Sequence, residues 1–195
     1  WHVAGAGDSQ LAQELGPGVL SAAREKHIGD AARLADSLWA LAPVSSLEAP
    51  RIDALVMAGR AEEGRTFGES LLSSREPGRA DVPVLIALAR LHYGFHEDHA
   101  TAMSCIERAY SSLGDAPVPI ELLEIEAQAH FRANRVEEAI RAAKSAGHRI
   151  GTDDPEEIDR WLALRGIWAQ AVHQQGDIHA AIELLDERNA RCLIE

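Results

Sequence analysis

The side chains best suited to chemistry lie between positions 92 and 105. His92, His96 and His99 are interleaved with Glu97 and Asp98, and Cys105 follows. Histidines four residues apart can share a helical face, as zinc ligands do. His96 and His99, however, stand three apart, so His96-Glu97-Asp98-His99 is not the zinc-hydrolase motif H-E-x-x-H. Gly94 also interrupts the run where a turn between helices is expected. A solvated polar turn with no metal is the reading. A nucleophilic thiol would need a lowered pKa and a positioned base. Cys105, in mid-helix beside Ile106, reads instead as a small buried hydrophobe.

The other reactive patterns are also missing or explained by structure. There is no G-x-x-x-x-G-K-[S/T] phosphate loop and no G-x-S-x-G elbow. Gly5-Ala6-Gly7 lacks a third glycine and a preceding strand, and reads as a turn. The pairs Glu62-Glu63, Glu137-Glu138, Asp153-Asp154 and Glu156-Glu157 mostly open helices, where the macrodipole favours carboxylates. No enzyme activity and no cofactor are expected of this segment.

The elements that carry these residues are helices. Alanine, leucine, glutamate and arginine abound, aromatics make up 5%, and β-branched residues are too few to fill a sheet. Trp161, Leu164, Trp168, Ala171 and Val172 recur at helical spacing on one face. Asp154, Pro155 and Glu157 form a helix-start signal, with weaker ones at Asp81 and Asp30. An all-α chain follows, with a short helix near 8–15 and five helix pairs. These are 18–28 with 30–41, 49–58 with 61–73, 82–93 with 98–113, 118–132 with 135–147, and 156–174 with 177–193. Pro43, Pro77-Gly78, Pro117 with Pro119, and Pro155 separate the pairs. Within pairs, turns are expected at Ile28-Gly29-Asp30, Gly59-Arg60, Asn134-Arg135 and Gly176-Asp177.

The turns reveal a repeat. After Gly176 come Ile178 and then Ala181-Ile182; after Asn134 come Val136 and then Ala139-Ile140. Ala102-Met103 fills the same slot in the third pair, where a small residue lets two helices approach. The earlier pairs place Leu34 and Gly64 there. The last two pairs resemble tetratricopeptide repeats. That resemblance implies a single domain over 1–195, a right-handed superhelical solenoid of antiparallel helix pairs whose first helices line a concave side. The groove positions are then Leu91 and Phe95; Glu121, Glu124, Gln128 and Arg132; and Gly166, Gln170 and His173. Trp161 is either core or an aromatic platform beside them, whereas Trp39 and Trp168 read as core. Amides, a guanidinium and aromatic rings suit a neutral polar ligand or an extended peptide.

A second resemblance spans most of the chain. Ala6-Gly7-Asp8, Leu11-Ala12, Leu15-Gly16 and Gly29-Asp30 are followed by Leu38-Trp39-Ala40-Leu41-Ala42-Pro43. Pro50-Arg51-Ile52 and Ala54 to Glu63 complete the order. It looks like the helical-repeat region of large ATP-dependent LuxR-type (MalT-like) bacterial transcription regulators. The resemblance implies an effector-sensing and protein-interaction domain, binding a small-molecule inducer or a protein partner and controlling self-association. ATP and DNA would be bound by other domains of the parent protein. The alternative is a stand-alone tetratricopeptide-type scaffold for protein partners.

Charge and hydropathy bound the rest. With 19 basic against 31 acidic residues, a net charge of −12 and an isoelectric point near 5.2, this segment is not expected to contact nucleic acid. Apolar runs such as Val82 to Leu91 are too short for a membrane span. Cys105 and Cys192 form no disulfide framework, so a cytoplasmic setting is expected. Trp1 in place of Met suggests a piece of a longer protein. Ala190 to Glu195, with Cys192, Leu193 and Ile194, reads as an uncapped apolar end prone to weak self-association.

Overall fold

A computed structural model of the chain describes residues 9–26, 28–148 and 155–192. The readings for Gly5-Ala6-Gly7, the Asp154 cap and the last three residues lie outside that range. So do those that depend on side chains beyond Asp186. Among the described residues all regular structure is helical. The elements are α1 (Ser9–Lys26), α2 (Ile28–Leu41), α3 (Ser45–Met57), α4 (Ala61–Ser73), α5 (Val82–Phe95), α6 (His99–Leu113), α7 (Ile120–Arg132), α8 (Val136–Gly147), α9 (Pro155–Gln174) and α10 (Ile178–Cys192). A single 3-10 turn, Arg79–Asp81, precedes α5. No described helix is long and apolar enough to cross a membrane.

Four expected boundaries move, and packing explains two of the changes. The helices expected at 8–15 and 18–28 are one, α1, with Pro17 inside it. Ala12 and Leu20, on either side of Pro17, are fully buried in one cluster with Leu34, Leu38 and Leu47. A continuous apolar face thus offsets the hydrogen bond that proline removes. Helix α3 starts at Ser45 rather than 49, because its added turn buries Leu47 and Glu48. Arg75 clamps Glu48 with bonds of 2.7 and 2.9 Å and reaches Asp81 at 2.5 Å. Helix α5 continues through Gly94 to Phe95. Gly29 and Asp30, expected in a turn, lie inside α2.

The chain divides into two compact units, Trp1–Gly114 and Asp115–Glu195. Gly114 has left-handed φ (55°), and Pro117 and Pro119 keep the following segment out of a helix. In the first unit α5 is buried on nearly every side, from Val82 through Tyr93. Its apolar run therefore belongs to a core helix, packed against α3, α4 and α6. In the second unit α9 lies against α8 and, less extensively, α7. Trp161 and Leu164 fill the space over Leu123, Ala127, Ala142, Ala143 and Ala146.

One turn recurs through both units. Gly59, Glu97, Asn134 and Gly176 all have left-handed φ, between 52 and 88°. They stand roughly 40 residues apart, the scale of a helix-pair repeat. The next residue's N–H returns to the preceding helix: Arg60 to Leu55, Asp98 to His92, Arg135 to His130 and Asp177 to Val172. Five residues after each left-handed position comes a buried small residue, Gly64, Ala102, Ala139 or Ala181. Gly64 therefore fills the place that alanine takes in later pairs. A Cβ there would sit 3.3 Å from the Ile52 carbonyl oxygen.

Closer still is Gly68, one turn further along α4. A Cβ there would lie 2.9 Å from Leu88 Cδ2 and 3.0 Å from Leu88 Cγ and Ile52 Cδ1. Gly94, by contrast, faces open space. Gly68→Ala should destabilise the protein by about 1–3 kcal/mol despite the better helix former. Gly94→Ala should stabilise it by about 0.5–1 kcal/mol. Urea denaturation of the two variants checks both signs.

Candidate functional site

The histidine cluster is assembled by the turn between α5 and α6. His92 is buried, its ring edge-on to His96 at 5.5 Å, and its carbonyl accepts the Asp98 N–H. In the repeating turn the His92 carbonyl accepts the returning N–H as those of Leu55 and Val172 do, across a turn one residue longer, and its side chain is buried as theirs are. His130 occupies the same place in the α7–α8 pair and is also buried. His96 lies 3.2 Å from Glu62, and Asp98 caps α6 through the Thr101 N–H. Among the described residues no three His, Cys, Asp or Glu side chains converge as metal ligands.

Burial holds the His92 pKa below the usual histidine value, and His96 and Arg65 add to this while Asp98 and Glu69 oppose it. On acidification the unfolded chain therefore takes up its proton first. Stability contributed by neutral His92 is complete above about pH 6.5 and is lost as pH falls below it. His92→Leu, the residue found at position 55, should flatten this part of the pH–stability curve. Thermal melts from pH 8 to 5 make the comparison. Burial also pushes the Cys105 thiol up to about 11, the reverse of an activated nucleophile. In the native protein Cys105 should resist iodoacetamide at neutral pH and react after unfolding, as read by peptide mass spectrometry.

A groove of about 370 Å³ opens on the last helix pair. Helix α9 supplies Gly166, Ala169, Gln170, His173 and Gln174, and Phe131 adds an aromatic ring from the end of α7. The opposite wall is α10, through Ile178, Ala181, Ile182 and Leu185. Ile178, Ile182 and Leu185 are 58, 49 and 38% exposed, a continuous apolar stripe at helical spacing. Among the described residues, no Asp, Glu, Lys or Arg side chain lines the cleft. Two amides and an imidazole rim an otherwise apolar surface, which can bury a nonpolar face while orienting it by hydrogen bonds.

Two of the expected site residues, Gln170 and His173, meet in this groove together with Gly166. Glu124 and Gln128 lie half-buried along α7 on the side that ends at Phe131, and Arg132 is exposed at that end. These three do not line the cleft, and Glu121 accepts a hydrogen bond from Arg160 of α9. Trp161 is elsewhere. It is 5% exposed and sits over α8, where it lines a small cleft with Arg165 and Trp168. Nine residues separate Trp161 from Gln170, about two and a half turns, which puts them on opposite sides of α9. Trp161 is thus a packed residue of the second unit and does not face Gln170 and His173. Leu91 is likewise core, while Phe95 is exposed.

Sequence reasoning missed the α10 wall because it confined the groove to first helices. The stripe at 178, 182 and 185 was visible as an apolar period, but its exposure depends on which side α8 covers. No family model, curated protein or solved structure matches this chain, so its functional reading rests on its own residues.

Proposed function

We propose that the chain is a non-catalytic helical-repeat interaction module, with the groove between α9 and α10 as its binding face. The observation that carries this is the apolar α10 stripe facing Gln170 and His173 across an open cleft. The four recurring turns support stacking of the pairs into a right-handed tetratricopeptide-like solenoid. The raised Cys105 pKa and the packing role of His92 support a non-catalytic reading. Together with the sequence resemblance, they favour an effector-sensing and partner-binding region of a cytoplasmic LuxR-type regulator. In such a parent protein ATP and DNA would be handled by other domains.

Ligand binding to the folded state raises stability by RT ln(1 + [L]/Kd), about 2.7 kcal/mol at a hundredfold excess. A thermal-shift screen of small-molecule effectors and peptides should therefore find a stabilising ligand. Gln170→Ala with His173→Ala should weaken that ligand about tenfold or more, with an unchanged melting temperature in its absence. Equal affinity in the double variant would remove the groove assignment. Stabilisation by peptides alone would favour the stand-alone scaffold over the inducer-sensing region.

A further inference from the structure

We propose that the second unit carries a site for a free basic amino acid, lysine or arginine, in a cleft between α8 and α10. The cleft holds about 370 Å³ and shares no lining residue with the groove that carries Gln170 and His173. Both of its walls are helices of the chain, and α9 is the floor between them. Ile140 and Lys144 come from α8, and Trp168 and Val172 from α9. Asp177, in the turn before α10, and Glu183 and Leu184 of α10 form the other wall. Ile140, Trp168, Val172 and Leu184 belong to one apolar cluster, so the core beneath fixes the floor.

Around that floor stand one ammonium and two carboxylates, and they do not satisfy one another. Lys144 lies over the Trp168 ring at 5.0 Å, and one Asp177 oxygen caps α10 at the Ala180 N–H. Among the described residues Lys144, Asp177 and Glu183 form no ion pair. The first unit supplies the contrast. Counted from the left-handed residue of each turn, Lys144 matches Glu69, Ile140 matches Arg65, Asp177 matches Asp98 and Ala180 matches Thr101. There Arg65 donates to Glu69 at 2.8 and 2.9 Å, and the Thr101 hydroxyl and N–H both donate to Asp98. In the second unit the side chains that would pair these charges are apolar, and the charges border a cleft instead. Two carboxylates, one ammonium and an apolar floor complement a molecule with two cations, one carboxylate and a methylene stem. Lys144 receives the α-carboxylate, Glu183 the α-ammonium and Asp177 the side-chain cation. Asp177 and Glu183 are six residues apart, about 9 Å along the α10 axis, a span that the stem bridges over Trp168 and Leu184. A simple diamine would leave Lys144 facing a like charge.

The test is calorimetric titration of the whole 195-residue chain at low salt with L-arginine and L-lysine. At least one should bind with a Kd of about 1 mM or tighter. Its decarboxylated amine (agmatine or cadaverine) and its analogue with an uncharged side chain (citrulline or norleucine) should each bind at least about tenfold more weakly. Lys144→Met should abolish the preference for the amino acid over the amine. Asp177→Asn, which keeps an oxygen to cap α10, should abolish the preference over the uncharged analogue. Glu183→Gln should weaken the amino acid about tenfold. All three positions are exposed, so melting temperatures should stay close to that of the parent chain. Absence of binding by both amino acids, or selectivities unchanged in the Lys144 and Asp177 variants, would overturn the proposal. So would equal binding of the amine, which would mark a general attraction of cations to a chain of charge −12. Gln170→Ala with His173→Ala should leave amino-acid binding unchanged; its loss there would move the ligand to the other groove and overturn this site.

Discussion

The close approach of two helices at one small residue is the constraint on which the helix pairs depend. A left-handed residue turns the chain back, the next N–H bonds to the helix just finished, and five residues past the left-handed position a glycine or alanine meets that helix. Any larger side chain at Gly64 would meet the Ile52 carbonyl, and backbone cannot step aside as a side chain can. The turn thus sets direction and register together. Large residues such as Leu88 and Ile52 can then be shared between three helices around Gly68.

Polar groups follow from the same geometry. His92 and His130 occupy a turn position that is apolar in other pairs, so they are packed before they are chemical. Burial makes neutrality part of the packing at His92, which couples the fold to pH. Buried Glu48 and Asp81 are instead met by one arginine, Arg75, which joins the first turn of α3 to the 3-10 turn before α5. That clamp draws in residues that local signals alone would leave outside the helix.

The proposed binding face has the same origin. Each pair buries one apolar side within itself and presents others to its neighbours. On α7 and α8 the neighbour is α9; along α9 and α10 the described residues form a cleft. The groove needs no dedicated loop, because two helices form its walls, edged with Gln170, His173 and Gln174.

Helical class, the approximate pairs and the turns at Gly59, Asn134 and Gly176 were legible in the chain, since periodicity and left-handed turn residues are local properties. Glu97 gave no such signal, because a left-handed glutamate is held by its surroundings rather than by its own preference. The continuity of α1 through Pro17 and the early start of α3 were equally hidden, being decided by burial against residues distant in sequence. Of the groove positions expected from repeat register, Gln170 and His173 line the cleft, whereas the burial of Trp161 over α8 depends on which side of α9 it takes. The exposed Ile178, Ile182 and Leu185 look in sequence like any core stripe. Periodicity determines that a helix has an apolar face; only tertiary packing decides whether another helix covers it.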